Sequence, residues 1–163
     1  MTRVSNFPGG PIDQIGILVP DLEAAMDGYV ATLGVTFQVF EVDETTSAFS
    51  GSSSHFRIRF GVAQIGLSSL ELIQPVSGTT IHSEHLKTRG PGIHHIAIYV
   101  PSLTTARKRL ERRGYKALME GRIRRVGKFA YYEAPDMHCI IEPLQLSLGC
   151  PLFLAENAKL YPG

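Results

Sequence analysis

Two stretches of this chain are copies of one another. QIGILVPDLEAA (Gln14 to Ala25) and HIAIYVPSLTTA (His95 to Ala106) align without a gap at an offset of 81 residues. Ile15, Ile17, Val19, Pro20, Leu22 and Ala25 recur as Ile96, Ile98, Val100, Pro101, Leu103 and Ala106. A repeat restricts the fold more than any composition figure, because each copy must be one supersecondary unit that buries its apolar face against its neighbour. Each copy reads as an apolar strand, a proline and then a helix. Asp21 and Ser102 stand where a helix N-cap is needed. The first helix is predicted to run to Leu33 and stop at Gly34, and the second to run to Arg113 and stop at Gly114, since glycine just past a helix accepts the left-handed backbone that ends it.

Three β-rich stretches follow each helix. In the first half they are Phe37 to Val42, Phe56 to Val62 and Leu67 to Val76. In the second they are Ala117 to Val126, Lys128 to Ala134 and Cys139 to Gln145. Polar segments such as DETTSAFSGSSS and APDMH read as the turns between them. Each half is therefore β-α-β-β-β, and the chain divides into a first module (11–76), a linker (77–91), a second module (92–146) and a tail (147–163). The expected class is α+β: paired βαβββ modules forming a curved, barrel-like mixed sheet with helices outside. The linker has room for a short helix between Gly and Pro breakers, and the tail for a last turn packed on the body.

Strand alternation sorts the side chains of the repeat. Ile15, Ile17 and Val19, with Ile96, Ile98 and Val100, form a bulky row that suits packing under the helices. Gln14, Gly16 and Leu18, with His95, Ala97 and Tyr99, form a smaller and more polar row that suits a cavity wall. In GIHHIAIYV, regular alternation sends His94 and His95 to opposite faces. His95, which matches Gln14, takes the cavity face, and His94 the outer or helix-facing side.

The formal net charge of +1, with no basic stripe, argues against nucleic acid as a partner. The opening MTRVSNFPGG has no apolar run of a signal peptide, and no stretch is long and apolar enough to read as a membrane span. Cys139 and Cys150, the only two cysteines, suit reduced thiols and a cytoplasmic setting better than a disulfide framework.

With these elements in place, the chain resembles the vicinal oxygen chelate superfamily, which includes glyoxalase I, methylmalonyl-CoA epimerase, extradiol dioxygenases and the fosfomycin and bleomycin resistance proteins. QIGILVPDLEAA and GIHHIAIYVPSLTTA resemble the opening strand and helix of each module, and LELIQP and IIEPL the closing strands. The resemblance implies a metal held by one residue from the first and one from the last strand of each module. Here those positions are Gln14, Glu71, His95 and Glu142. Each has an ordinary structural reading alone; their coincidence at matching ends of a repeat carries the expectation. One imidazole, two carboxylates and an amide oxygen suit Zn²⁺, Ni²⁺, Co²⁺, Mn²⁺ or Mg²⁺.

The resemblance implies a metal-dependent isomerase, epimerase or lyase that moves a proton at a carbon next to a carbonyl of a small-molecule substrate, with Glu142 or Glu71 as the base, on a chain able to form a homodimer. A metal-free drug-binding protein of the bleomycin-resistance type and a ring-cleaving dioxygenase are the alternatives. Where methylmalonyl-CoA epimerases carry a further carboxylate base, this chain has Arg57, which cannot be a base. Arg57 and Tyr99 are candidate substrate contacts if their faces line the cavity. His55, His82 and His85 read as solvated loop or linker residues, and His138 as a turn residue near the mouth. Cys139 reads as a core thiol facing away from Glu142, and RIRRVGK as a solvated hairpin.

Overall fold

The computed structural model describes residues 11–48, 53–123, 126–148 and 159–162. Its strands are β1 (Gln14–Leu18), β2 (Phe37–Ala48), β3 (Ser53–Ile65), β4 (Ser68–Ser77), β5 (Gly92–Tyr99), β6 (Lys116–Ile123), β7 (Gly127–Ala134), β8 (Cys139–Leu146) and β9 (Lys159–Tyr161). The helices are α1 (Leu22–Leu33), α2 (Ile81–Arg89) and α3 (Leu103–Arg112), with a 3₁₀ turn at Pro135–Met137.

The repeat is visible in the sheet. The strands run β2-β3-β4-β1 in the first half and β5-β8-β7-β6 in the second, joined where β1 pairs antiparallel with β5. In each half the opening and closing strands are parallel, β1 with β4 and β5 with β8. The sheet curls until the far end of β2 meets β6, with Ser47 opposite Glu120 and Ala48 opposite Met119. Asp13 helps fasten the seam: its Oδ2 accepts from the Tyr99 backbone N–H at 2.7 Å, and its carbonyl accepts from the Ser69 N–H.

Side chains on the outer face of the central strands bury the helices. Val19 and Ile17 pack with Leu22 and Met26 of α1; Ile98 and Val100 pack with Ala106 of α3. Asp21 and Ser102 cap these helices by accepting from Ala24 N–H and Thr105 N–H. A cap contributes about 1 kcal/mol, whereas burying one Leu or Met contributes about 1.5–3 kcal/mol. Packing of the apolar face therefore outweighs the cap in fixing α1, where Leu22 and Met26 are almost wholly buried. Gly34 ends α1 in the left-handed region at φ 65°, as its position after Leu33 predicts.

Several expectations are corrected. DETTSAFSGSSS is not a turn throughout: β2 continues to Ala48 and β3 begins at Ser53, with Ser47 opposite Ser53, so a long hairpin replaces the loop. Backbone pairing with both β3 and β6 overrides the turn preference of those polar residues. The tail supplies a strand rather than a turn, since β9 pairs antiparallel with Phe37–Val39. Cys150 and most of the tail lie outside the described residues, as do positions 124 and 125 of the basic hairpin. The linker does form a helix, α2, which carries a capping box between Thr80 and Ser83.

Candidate metal centre

The four candidate donors sit on the four central strands around two small residues. Gly16 is flanked in register by Glu71 on β4 and His95 on β5. Ala97 is flanked by Gln14 on β1 and Glu142 on β8. The second arrangement is the first one repeated, since Gln14 and Gly16 of one copy match His95 and Ala97 of the other. His95 Nε2 lies 3.2 Å from Glu142 Oε2 and 3.6 Å from Glu71 Oε2. Gln14 hydrogen-bonds the Glu71 carboxylate. The His95 side chain is 0% exposed, Glu142 6% and Glu71 16%.

Burial costs the charged forms here, and the neighbours respond. Burial raises the Glu71 carboxyl above its ordinary value, against the pull of His95. Burial opposes charge on His95 too, but the facing Glu142 and Glu71 carboxylates override it and lift the imidazole to about 9. Burial pushes Tyr99 up to about 12 and Tyr131 well above the usual tyrosine value, and Glu142 and Glu71 push both phenols further. Both therefore remain neutral phenols over ordinary pH.

The donor set fits a divalent cation. Two carboxylates, Glu142 buried and Glu71 partly so, face a single imidazole, and a charged His95 balances only one of them when both are ionised. A divalent ion with neutral His95 balances both carboxylates. The Nε2 of His95 points at the carboxylates without a well-formed hydrogen bond, as a ligand nitrogen would.

Gln14, Glu71 and Glu142 line a cavity of about 740 Å³. Phe40, Phe56, Ile58, Phe60, Phe129 and Leu144 make much of its wall; Gln14, Glu71, Glu142 and Tyr99 line it near the candidate donors, and Gln38, Glu41 and Asp43 of β2 line it as well. Alternation along β3 puts Phe56, Ile58, Phe60 and Val62 inside. Arg57 is thereby turned outward, where it is largely exposed and 3.7 Å from Glu41. Arg57 as a cavity contact is thus corrected: strand parity, not charge, decides it. Arg59 shares that outer face and pairs with Glu23 of α1 and Gln74. No Lys or Arg is among the described residues lining the cavity.

The histidines depart most from expectation. Between Gly16 and Ile17 the β1–β5 register slips from His95 to Ile93, leaving His94 as the extra residue of a β-bulge. The bulge breaks alternation, so both rings turn inward. They stand 5.3 Å apart at 89°, and both approach Tyr131. His82 is not solvated: α2 buries it against Tyr131 and His94, at ring distances of 5.2 and 4.8 Å, and it lines the cavity. Burial lowers its pKa to about 3. His85 is half-buried, 5.0 Å from the His94 ring. His55 remains exposed and pairs with Asp43, and His138 is exposed outside the cavity lining. Cys139 packs on the outer side with Ile98 and Ile141.

Sequence reasoning also missed Gly16 as a functional residue. A Cβ there would lie 2.0 Å from His95 Cε1, so only glycine leaves room for the ring. The signal was present in the repeat, where Gly16 and Ala97 occupy equivalent positions and are the two smallest members of the cavity row.

A curled sheet of two βαβββ halves with paired donors on its inner face defines a class, and the comparisons name it. Residues 13–132 match the family described as the Glyoxalase/Bleomycin resistance protein/Dioxygenase superfamily, and the chain belongs to that superfamily. Among solved structures, it is similar to methylmalonyl-CoA epimerase from Mycobacterium tuberculosis, at 23% identity and TM-score 0.63, over 83% of this chain and 87% of that one. A Streptomyces coelicolor methylmalonyl-CoA epimerase variant in complex with 2-nitronate-propionyl-CoA shows 25% identity and TM-score 0.62, over 83% and 96%. A hypothetical protein from Bacillus halodurans C-125 shows 22% identity and TM-score 0.63, over 84% and 94%. No curated protein sequence matches.

Proposed function

We propose that this protein is a metal-dependent isomerase, epimerase or lyase that moves a proton at a carbon next to a carbonyl. The observation that supports this most is that Glu142 and Glu71, which line the cavity, both lie within 3.6 Å of His95 Nε2. Gln14, Glu71, His95 and Glu142 would hold the ion. Such an ion, when bound, stabilises the negative charge that develops on a carbonyl oxygen as the neighbouring proton leaves.

The remaining work falls to this chain's own groups. Glu71 is the better candidate base: burial raises its affinity for a proton, and a carboxylate so shifted both takes and returns one. Glu142 accepts a hydrogen bond from Tyr131, which holds it at the wall. Tyr99 remains a neutral phenol in the cavity lining, suited to donating to a substrate oxygen.

The wall also narrows the substrate class. Its Phe and Ile part suits an apolar portion of a small molecule, with an oxygen-bearing head toward Gln14, Glu71 and Glu142. Without a cavity Lys or Arg among the described residues, the phosphates of an acyl-CoA would have to lie outside.

The test pairs metal analysis with solvent-deuterium exchange on 2-oxo and acyl-thioester compounds. About one equivalent of divalent metal is the occupancy of a single four-ligand site. That occupancy in wild type, its loss in His95→Ala, and metal-dependent exchange support the proposal. A wild type that takes up no metal after reconstitution overturns it, and turns the reading toward a metal-free ligand-binding protein.

A further inference from the structure

The bulge in β5 brings two imidazoles into contact. His94 Nδ1 and His95 Nδ1 are 3.0 Å apart, both rings buried. At that distance one nitrogen donates and the other accepts. The direction follows from the task of His95. If Nε2 faces the ion beside Glu71 and Glu142, the proton of the neutral ring must sit on Nδ1. His94 must then accept at its own Nδ1 and hold its proton on Nε2.

We propose that His94 is a positioning residue, which fixes the tautomer and ring angle of the metal ligand His95 by accepting a hydrogen bond from its Nδ1–H. This rests on the metal reading above and adds to it the part behind the ligand. Metal-bound histidines regularly donate their second ring N–H to such an acceptor, and its loss weakens metal binding by about 10–100-fold. His94 is itself held by its neighbours. Its ring lies against His82 and His85 of α2 and against Tyr131 of β7. Gly16 also abuts the His95 ring, since a Cβ there would strike it.

A second metal site in this cluster is the rival reading. One ring nitrogen from each of His82, His94 and His95 falls within 4.8 Å of the others. Two nitrogens on one tetrahedral zinc stand about 3.3 Å apart, given a Zn–N length of about 2.0 Å. The two Nδ1 atoms are closer than that, at a hydrogen-bond distance. The other nitrogen of His95 already faces the carboxylates.

The experiment uses the full chain, purified without a His-tag and stripped of metal, with Zn²⁺ as the probe in calorimetric titration. Asn places its amide oxygen near the position of His Nδ1, so His94→Asn keeps the acceptor; His94→Phe keeps the ring volume and loses it. His94→Phe is expected to weaken Zn²⁺ binding by about 10–100-fold, with His94→Asn within about three-fold of wild type. Long-range ¹H–¹⁵N spectra of wild type give a second measurement that needs no folded variant: a proton on His95 Nδ1 and a bare His94 Nδ1 support the proposal. A proton on His94 Nδ1, or a His94→Phe variant that binds Zn²⁺ like wild type, overturns this inference alone. A second equivalent of Zn²⁺ that is lost in His82→Ala also overturns it, because His94 would then serve an ion. A wild type that binds no Zn²⁺ overturns this inference together with the metal reading.

Discussion

The ring of His95 lies directly against Gly16 of the neighbouring strand, with no room for even one carbon between them: a Cβ on Gly16 would come within 2.0 Å of His95 Cε1 and 2.5 Å of both ring nitrogens. The ring also meets His94 at Nδ1, and its Nε2 is aimed at Glu142 and Glu71.

Gly16→Ala therefore tests the site without removing a donor. The added methyl must push the ring off the strand, because the obstacle is a buried side chain with its own neighbours. Overpacking of this kind costs about 1–3 kcal/mol, and a displaced ligand costs metal affinity by about 10–100-fold. The first is read by urea unfolding of metal-free protein, the second by zinc titration. A Gly16→Ala protein with wild-type zinc affinity would show that His95 is not needed in this pose.

Arg57 and Tyr99 separate an outward residue from an inward one. Arg57→Gln removes an exposed charge 3.7 Å from Glu41, and exposed pairs contribute about 0.2–1 kcal/mol. Ligand affinity and turnover are expected to stay at wild-type values. Tyr99→Phe removes a phenol from the cavity lining, where a lost hydrogen bond is worth about 0.5–1.5 kcal/mol, or roughly 2–12-fold in affinity. Equal effects of the two changes on substrate affinity would contradict the placing of Arg57 on the outer face of β3 and of Tyr99 on the cavity face of β5.

The pH dependence of stability should carry the mark of His82. Burial lowers its pKa from the ordinary 6.5 to about 3. The unfolded chain thus takes up a proton below about 6.5 that the folded chain refuses. The stability is full above 6.5 and is lost as pH falls toward 3. The groups facing His82 are His85 on its own helix, His94 and His95 on β5 and Tyr131 on β7. His82→Leu removes the titrating ring and keeps an apolar filler. Urea midpoints of metal-free protein between pH 7 and 5 are expected to fall less in the variant. Parallel curves for the two proteins would show that His82 does not titrate in this way.

Much of the fold was legible because the repeat states it twice. Ile17 and Val19 in one copy, and Ile98 and Val100 in the other, share one outer face, and the structure packs them under α1 and α3. Gln14, Glu71, His95 and Glu142 were legible as candidates through the family resemblance, and their place at matching ends of the repeat added weight to it. What escaped depends on contacts between segments far apart in sequence. The β5 bulge needs the register of β1, and no local pattern in GIHHIAIYV marks it. His82 is polar in a polar segment, and only the docking of α2 onto Tyr131 buries it. Arg57 was ambiguous by parity alone, because an amphipathic strand does not say which of its faces the sheet will curl around. The extension of β2 through Thr45, Thr46 and Ser47 rests on partners in β3 and β6 that local turn preference cannot anticipate.

On the proposed reading both carboxylates hold the ion, and Glu71 is the one that also serves as base. Both face His95 Nε2, but burial raises the affinity of Glu71 for a proton, while Glu142 is tied to Tyr131 by a hydrogen bond. A group that must take and return a proton needs the first property, and a group that only holds position needs the second. Glu71→Gln keeps the shape and an oxygen donor but removes the base. It is expected to retain most of its zinc affinity while losing about 10²–10⁴-fold in the rate of deuterium exchange at the substrate carbon. Glu142→Gln is expected to lose metal affinity first, with exchange recovering in part at saturating metal. Exchange at the wild-type rate in metal-loaded Glu71→Gln would transfer the role of base to Glu142. Exchange at the wild-type rate in both single variants would exclude a carboxylate base on either strand.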